Sequence, residues 1–71
     1  MRFLTVDQVS AISTIPRKTL WGWANRYGTQ PVGPEPVRLG PRQLRYRLAD
    51  VSEWLGLTED ELVARMSADA A

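Results

Sequence analysis

The sequence predicts a small α+β domain of three to four short helices and one two-stranded β-hairpin. Its 71 residues suffice for one small domain. Two segments open with Thr and carry Gln or Glu three residues later, the signature of a capped helix start. A further segment, Val37–Leu48, alternates apolar and basic residues on either side of Gly40-Pro41, the pattern of a hairpin.

Leu4–Ser13 reads as the first helix. Thr5 is its N-cap and Gln8 completes the capping box; Leu4 and Val9 occupy the hydrophobic-staple positions. Asp7 lies in the first turn, where the helix dipole favours negative charge. Val6, Val9 and Ile12 form the apolar stripe. Ser13–Ile15 has room only for a turn. Pro16 disfavours a helical Ile15 and suits a first helical position, so a second helix begins at Pro16 or Arg17. Along it Leu20, Trp23, Ala24 and Tyr27 make one apolar face, while Arg17, Lys18, Trp21 and Asn25 lie mainly on the other. Gly22 costs this helix about 1 kcal/mol relative to Ala and leaves room for a close approach. Gly28 is placed to cap its C-terminus. Two helices joined by so short a turn make a helix-turn-helix.

Thr29–Pro36, with its prolines and Gly33, reads as a loop. In the hairpin, Leu44, Tyr46 and Leu48 alternate with Arg45 and Arg47, and Val37 and Leu39 flank Arg38. One face, with Val37, Leu39, Leu44 and Tyr46, is expected to cover the core. The other is expected to carry Arg38, Arg45 and Arg47, with Arg42 and Gln43 at the tip. A third helix, Ala49–Leu55, buries Val51, Trp54 and Leu55 and ends at Gly56. Thr58 caps a fourth, Glu59–Met66, with Glu61 completing a second capping box. Glu59, Asp60 and Glu61 fall in its first turn, and the helix dipole is sufficient reason for them. Leu62, Val63 and Met66 make a narrow apolar stripe that either packs on the third helix or meets a partner protein, with Leu62 and Met66 the candidate contacts. Ser67–Ala71 is expected to fray.

Composition narrows the function. Without Cys there is no disulfide, and with neither His nor Cys no ordinary zinc site. The three Trp are therefore expected to carry much of the core. Lys18 is the only lysine, no Walker-type loop is present, and no imidazole stands ready to activate a hydroxyl. An enzyme, a cofactor and a metal are accordingly not expected. MRFLTVDQ lacks the apolar run of a signal peptide, and no stretch approaches the ~18 apolar residues of a membrane span. The net charge of +1 conceals a division. Residues 1–47 carry eight basic against two acidic side chains, a net +6, and residues 48–71 one against six, a net −5. A basic surface of this kind suits a polyanion, with the acidic end turned away from it.

Nucleic acid is the polyanion these patterns favour. A helix with a greasy back and an Arg/Lys/Asn front docks on a core while offering donors to phosphates and base edges. A ribbon with Arg38, Arg42, Arg45 and Arg47 on its outer face and tip suits a groove whose negative potential attracts arginine.

The ordered set LTVDQVSAI, IPRKTLWGWA, VRLG and LRYRLADVSEWL resembles the excisionase and MerR-like winged-helix families. Leu4–Leu55 covers the pattern, and temperate-phage excisionases, mycobacteriophage ones among them, are the nearest resemblance. It implies a winged helix-turn-helix over residues 1–57, followed by a C-terminal helix and tail over 58–71. It implies a recombination directionality factor that performs no chemistry itself. Such a factor binds repeated attachment sites on double-stranded DNA in several copies, bends the DNA, and turns a phage integrase toward excision in the cytoplasm of the bacterial host. Arg17, Lys18, Trp21 and Asn25 match the family's major-groove face, with Arg26 at the end of the same helix. Arg42, Gln43 and Arg45 match its wing tip, and Trp23 and Trp54 its core aromatics. Pro16 stands where the family usually has a capping Ser or Thr, and Gly22 where a longer side chain is common. The alternative on the same residues is a small phage or bacterial transcription regulator. Leu62 and Met66, beside the acidic start of the last helix, are the candidate contacts to integrase or to a neighbouring copy.

Overall fold

The computed structural model describes residues 2–70, with side-chain environments through Ser67. A short strand β1 (Phe3–Thr5) leads into α1 (Val6–Ser13) and α2 (Arg17–Asn25). A hairpin of β2 (Pro36–Gly40) and β3 (Gln43–Arg47) follows, then α3 (Leu48–Leu55) and α4 (Glu59–Ala70). The strands form one antiparallel sheet in the order β1-β3-β2. Helix α1 touches α2, α4 and β3, while α3 packs on β3 and α4. No helix among the described residues is long and apolar enough to cross a membrane.

The helix starts follow the side chains. Thr5 Oγ1 accepts from the Gln8 N–H and the Gln8 side chain accepts from the Thr5 N–H, at 3.1 and 2.8 Å. The same reciprocal pair joins Thr58 and Glu61, at 3.1 Å in both directions. The Thr58 N–H donating to it, with the Thr58 hydroxyl beside it, holds the Glu61 carboxyl below its ordinary value. Gly56, in the left-handed region at φ 72°, ends α3, and the Leu57 N–H returns to the Ser52 carbonyl. Thr14 ends α1 in the same region at φ 62°, an uncommon conformation for a β-branched residue. The turn there is tied by Ser10 Oγ donating to the Ile15 carbonyl and Ser13 Oγ to that of Val9, both at 2.6 Å. Pro16 is extended and precedes α2 as its N-cap, its carbonyl accepting from Thr19 and Leu20.

Several expectations are corrected. Strand β1 was not foreseen; it pairs Leu4 with Tyr46 and Thr5 with Arg45, so the hairpin belongs to a three-stranded sheet. Leu48 opens α3 instead of closing β3, and its N–H donates to the Arg2 carbonyl. Gly28 is not a left-handed cap: among the described glycines only Gly33 and Gly56 have positive φ. Helix α4 runs past Met66 to Ala70, so Ser67 is helical; Ala71 lies outside the described residues. The core is aliphatic with a single aromatic residue, Tyr46, joined by Leu4, Val9, Leu20, Leu44, Val51 and Leu62. All three Trp are half-buried around it. Their rings are too large for the small centre of such a domain and seal its edges instead.

Hairpin phase is the largest correction. Its two-residue tip, Pro41-Arg42, sets Gly40 opposite Gln43. Continued regularly, that register would place Leu39 opposite Leu44 and Val37 opposite Tyr46, the expected apolar face. It would also set Arg38 against Arg45, a like-charge pair that destabilises a ladder. The register shifts between Arg38 and Gly40, so Arg38 faces Leu44 and Val37 faces Arg45. A one-residue slip exchanges the faces of a strand. Leu39, left without a cross-strand partner, is 55% exposed.

Candidate nucleic-acid interface

The first turn of α2 presents Arg17 and Lys18 to solvent. Arg17 Nε lies 2.6 Å from Asp7 Oδ1, an exposed ion pair that ties α2 to the start of α1. Such surface pairs are worth ~0–1 kcal/mol and exchange readily with a phosphate. Trp21, expected on the outward face, is half-buried and packs against the core from the flank of α2. At the other end Asn25 and Arg26 are exposed. The Arg26 guanidinium folds back over Gly22, its nitrogens 3.5 and 3.6 Å from where a Cβ would stand. Gly22 thus makes room for this side chain of its own helix.

The hairpin meets α2 through one hydrogen bond. Arg38, swung onto the core-facing phase of β2, donates from Nη2 to Asn25 Oδ1. Its charge also reaches Tyr46, where it opposes the upward push that burial exerts on the phenol. Further out, Arg42 and Gln43 are fully presented at the tip. Arg45 is half-buried and donates to the Leu44 carbonyl at 2.9 Å. Among the described residues, Lys18, Arg26, Arg42 and Arg45 make no ion pair.

Arg47 is held differently. Its guanidinium lies 3.4 Å from Asp50 and 3.8 Å from Glu35. Both carboxylates border an open depression of about 400 Å³ that also holds Glu53, Tyr27 and Trp54. Here the loop before β2 is fixed by its glycine. Gly33 has φ +80°, and a Cβ there would stand 2.8 Å from Trp23 Cε3. Trp23 meets Trp54 edge to face, with centroids 6.4 Å apart at 87°. Glu35 follows on this loop and lies within ion-pair reach of Arg47.

No protein-family model matches the chain, and neither does any curated protein or solved structure. The surface is therefore read from its own residues. Arg17, Lys18, Asn25 and Arg26 are exposed on α2, with Arg38 bonded to Asn25, and Arg42 and Gln43 are exposed at the tip; Arg45, opposite Val37, lies on the other face of the ribbon from Arg38. Arg47, at the base of the hairpin, is flanked by Glu35 and Asp50. Of the two roles open to the α4 stripe, packing is the one observed and the partner contact is not: Leu62 is completely buried in the core, and Met66 is half-buried against it. The stripe on α4 is spent on packing.

Two features of the site escaped sequence reasoning. The Arg38–Asn25 link depends on the bulge, which no local pattern announces. Gly33 was legible in principle: a glycine between Pro31 and Pro34 marks a turn that calls for positive φ.

Proposed function

We propose that this protein is a winged helix-turn-helix DNA-binding factor. In this reading α2 lies in the major groove and the tip of the β2–β3 hairpin lies over the neighbouring minor groove. Following the resemblance of its sequence, it acts architecturally: several copies bind repeated attachment sites, bend them and direct a phage integrase toward excision. The observation that carries the reading is the Arg38–Asn25 hydrogen bond. It ties the hairpin to the basic helix α2, and Lys18, Arg26, Arg42 and Arg45 lack carboxylate partners among the described residues. The longest dimension of the domain, 32 Å, also suits one turn of duplex, roughly 34 Å, so one copy can span both grooves.

Roles divide by chemistry. Arg17, Lys18, Arg26, Arg42 and Arg45 neutralise phosphates; Asn25 and Gln43 present amides to base edges. About five phosphate contacts give a slope of log K against log salt of about −4 to −5. The test is a gel-shift titration on duplexes selected from a random pool by the protein itself, repeated with circularly permuted probes. A ladder of complexes whose mobility depends on site position supports the architectural reading. A single unbent complex moves the function to a transcription regulator. A flat salt response, or no shift at low salt, rejects the surface.

A further inference from the structure

Leu39 is the most exposed large apolar side chain of the described residues, at 55%, beyond Val32 at 45% and Phe3 at 40%. Isolated apolar side chains on a surface are ordinary. This one differs in how it comes to be there. A regular ladder would have set Leu39 opposite Leu44, which is buried in the core. The bulge releases it, and bulges serve to re-aim a side chain. It emerges at the hairpin tip, next to Gly40, which has no side chain to shield it, and Pro41, which is rigid and apolar. Arg42 follows at the tip, and Arg45 stands across the ribbon from Val37. Phe3 and Val32, on the sheet edge and in the loop, have no such setting.

We propose that Leu39 is an apolar wedge: it enters the minor groove at the hairpin tip, partly unstacks one base-pair step and so produces the bend. This rests on the DNA-binding reading above and adds to it the residue that converts binding into bending. Arg42 and Arg45 hold the tip against the phosphates, where the negative potential of the groove attracts them. Leucine is among the side chains that wedge base steps apart, kinking the duplex toward the major groove. Pyrimidine–purine steps unstack most easily, so the selected duplexes should carry TA or CA/TG where the tip lies.

The experiment compares wild type with Leu39→Ala and Leu39→Phe on a duplex selected by the wild-type protein. It reads affinity, salt slope and end-to-end energy transfer, together with 2-aminopurine fluorescence at the contacted step. Circular dichroism checks that the variants remain folded, as expected for an exposed position. The expected result for Leu39→Ala is an unchanged salt slope, affinity weaker by about tenfold, loss of most of the bend and a quenched 2-aminopurine. Leu39→Phe should restore bend and fluorescence. If Leu39→Ala bends the duplex as wild type does, or if wild type binds without bending it, the wedge is overturned while DNA binding stands. If wild type selects no duplex, the DNA reading itself falls and the wedge falls with it, a failure seen in the wild-type arm alone.

Discussion

At its base the β2–β3 hairpin is part of the core. Leu44 and Tyr46 are each 1% exposed, β1 pairs along Arg45–Arg47, and Arg47 is engaged by Glu35 and Asp50. At its tip the same ribbon is bare: Leu39, Pro41, Arg42 and Gln43 are exposed, with no strand beside them and no carboxylate on Arg42. Both ends mix arginine with apolar residues. What separates them is the reach of β1 and of the acidic depression. Composition cannot assign a role to an arginine in this ribbon; its neighbours across the sheet do.

The sharpest way to break this contrast is to truncate the base. Tyr46→Ala should cost ~3–5 kcal/mol, the range for large aromatic residues in a core. A small domain with ~5 kcal/mol in hand is then left with only ~0–2 kcal/mol and unfolds at low urea. Urea denaturation followed by circular dichroism measures it. Arg42→Ala at the tip should stay within about 0.5 kcal/mol of wild type. A stable Tyr46→Ala protein would mean that base and tip do not differ as described.

Next in size is Gly33→Ala, which attacks the loop that positions the base. It forces a Cβ into positive φ and against the Trp23 ring at 2.8 Å. The expected cost is ~1–3 kcal/mol, as for other strained backbone sites, with a shift in tryptophan emission as Trp23 is displaced. Gly28→Ala is the control, since a Cβ there meets nothing within 4 Å.

The third comparison sets two arginines of the ribbon against each other. Arg42→Ala should lower DNA affinity and reduce the magnitude of the salt slope by about one, the loss of one phosphate contact. Arg47→Ala should change both less, because Glu35 and Asp50 already hold its charge. Equal losses from the two variants would place base and tip on the same binding surface.

How much of this was legible in the sequence depends on whether the cause is local. The Thr5–Gln8 and Thr58–Glu61 boxes, the stop at Gly56 and the presence of the hairpin were all readable, because each is fixed by residues within a few positions of one another. Strand β1 was not: three residues are too few to display alternation, and its partner lies some forty residues away. Leu62 looked exposed because α4 has a narrow stripe, yet α1 and α3 close over that helix. The tryptophans suggested a core by size alone. The hairpin alternation predicts the phase of β3 and inverts that of β2, since one extra residue at Leu39 resets it. The cationic surface was legible as a set of residue types, whereas its division between Arg42 and Arg47 was not.

The finest test concerns Arg38, which stands between base and tip. Burial raises the Tyr46 phenol above its usual value near 10, and the Arg38 guanidinium pulls it back down. Arg38→Gln keeps a donor for Asn25 but removes the charge, so Tyr46 should titrate at still higher pH. Ultraviolet absorbance in a Tyr27→Phe background isolates the signal. The effect on stability has a definite sign. In the unfolded chain the phenol ionises at about 10, while the folded chain retains its proton. The contribution of Tyr46 is therefore intact below about pH 10 and is lost as pH rises through the higher folded value. Arg38→Gln should steepen that alkaline loss while leaving neutral stability nearly unchanged. An unaltered titration would mean that Arg38 turns its charge wholly outward and belongs with the tip.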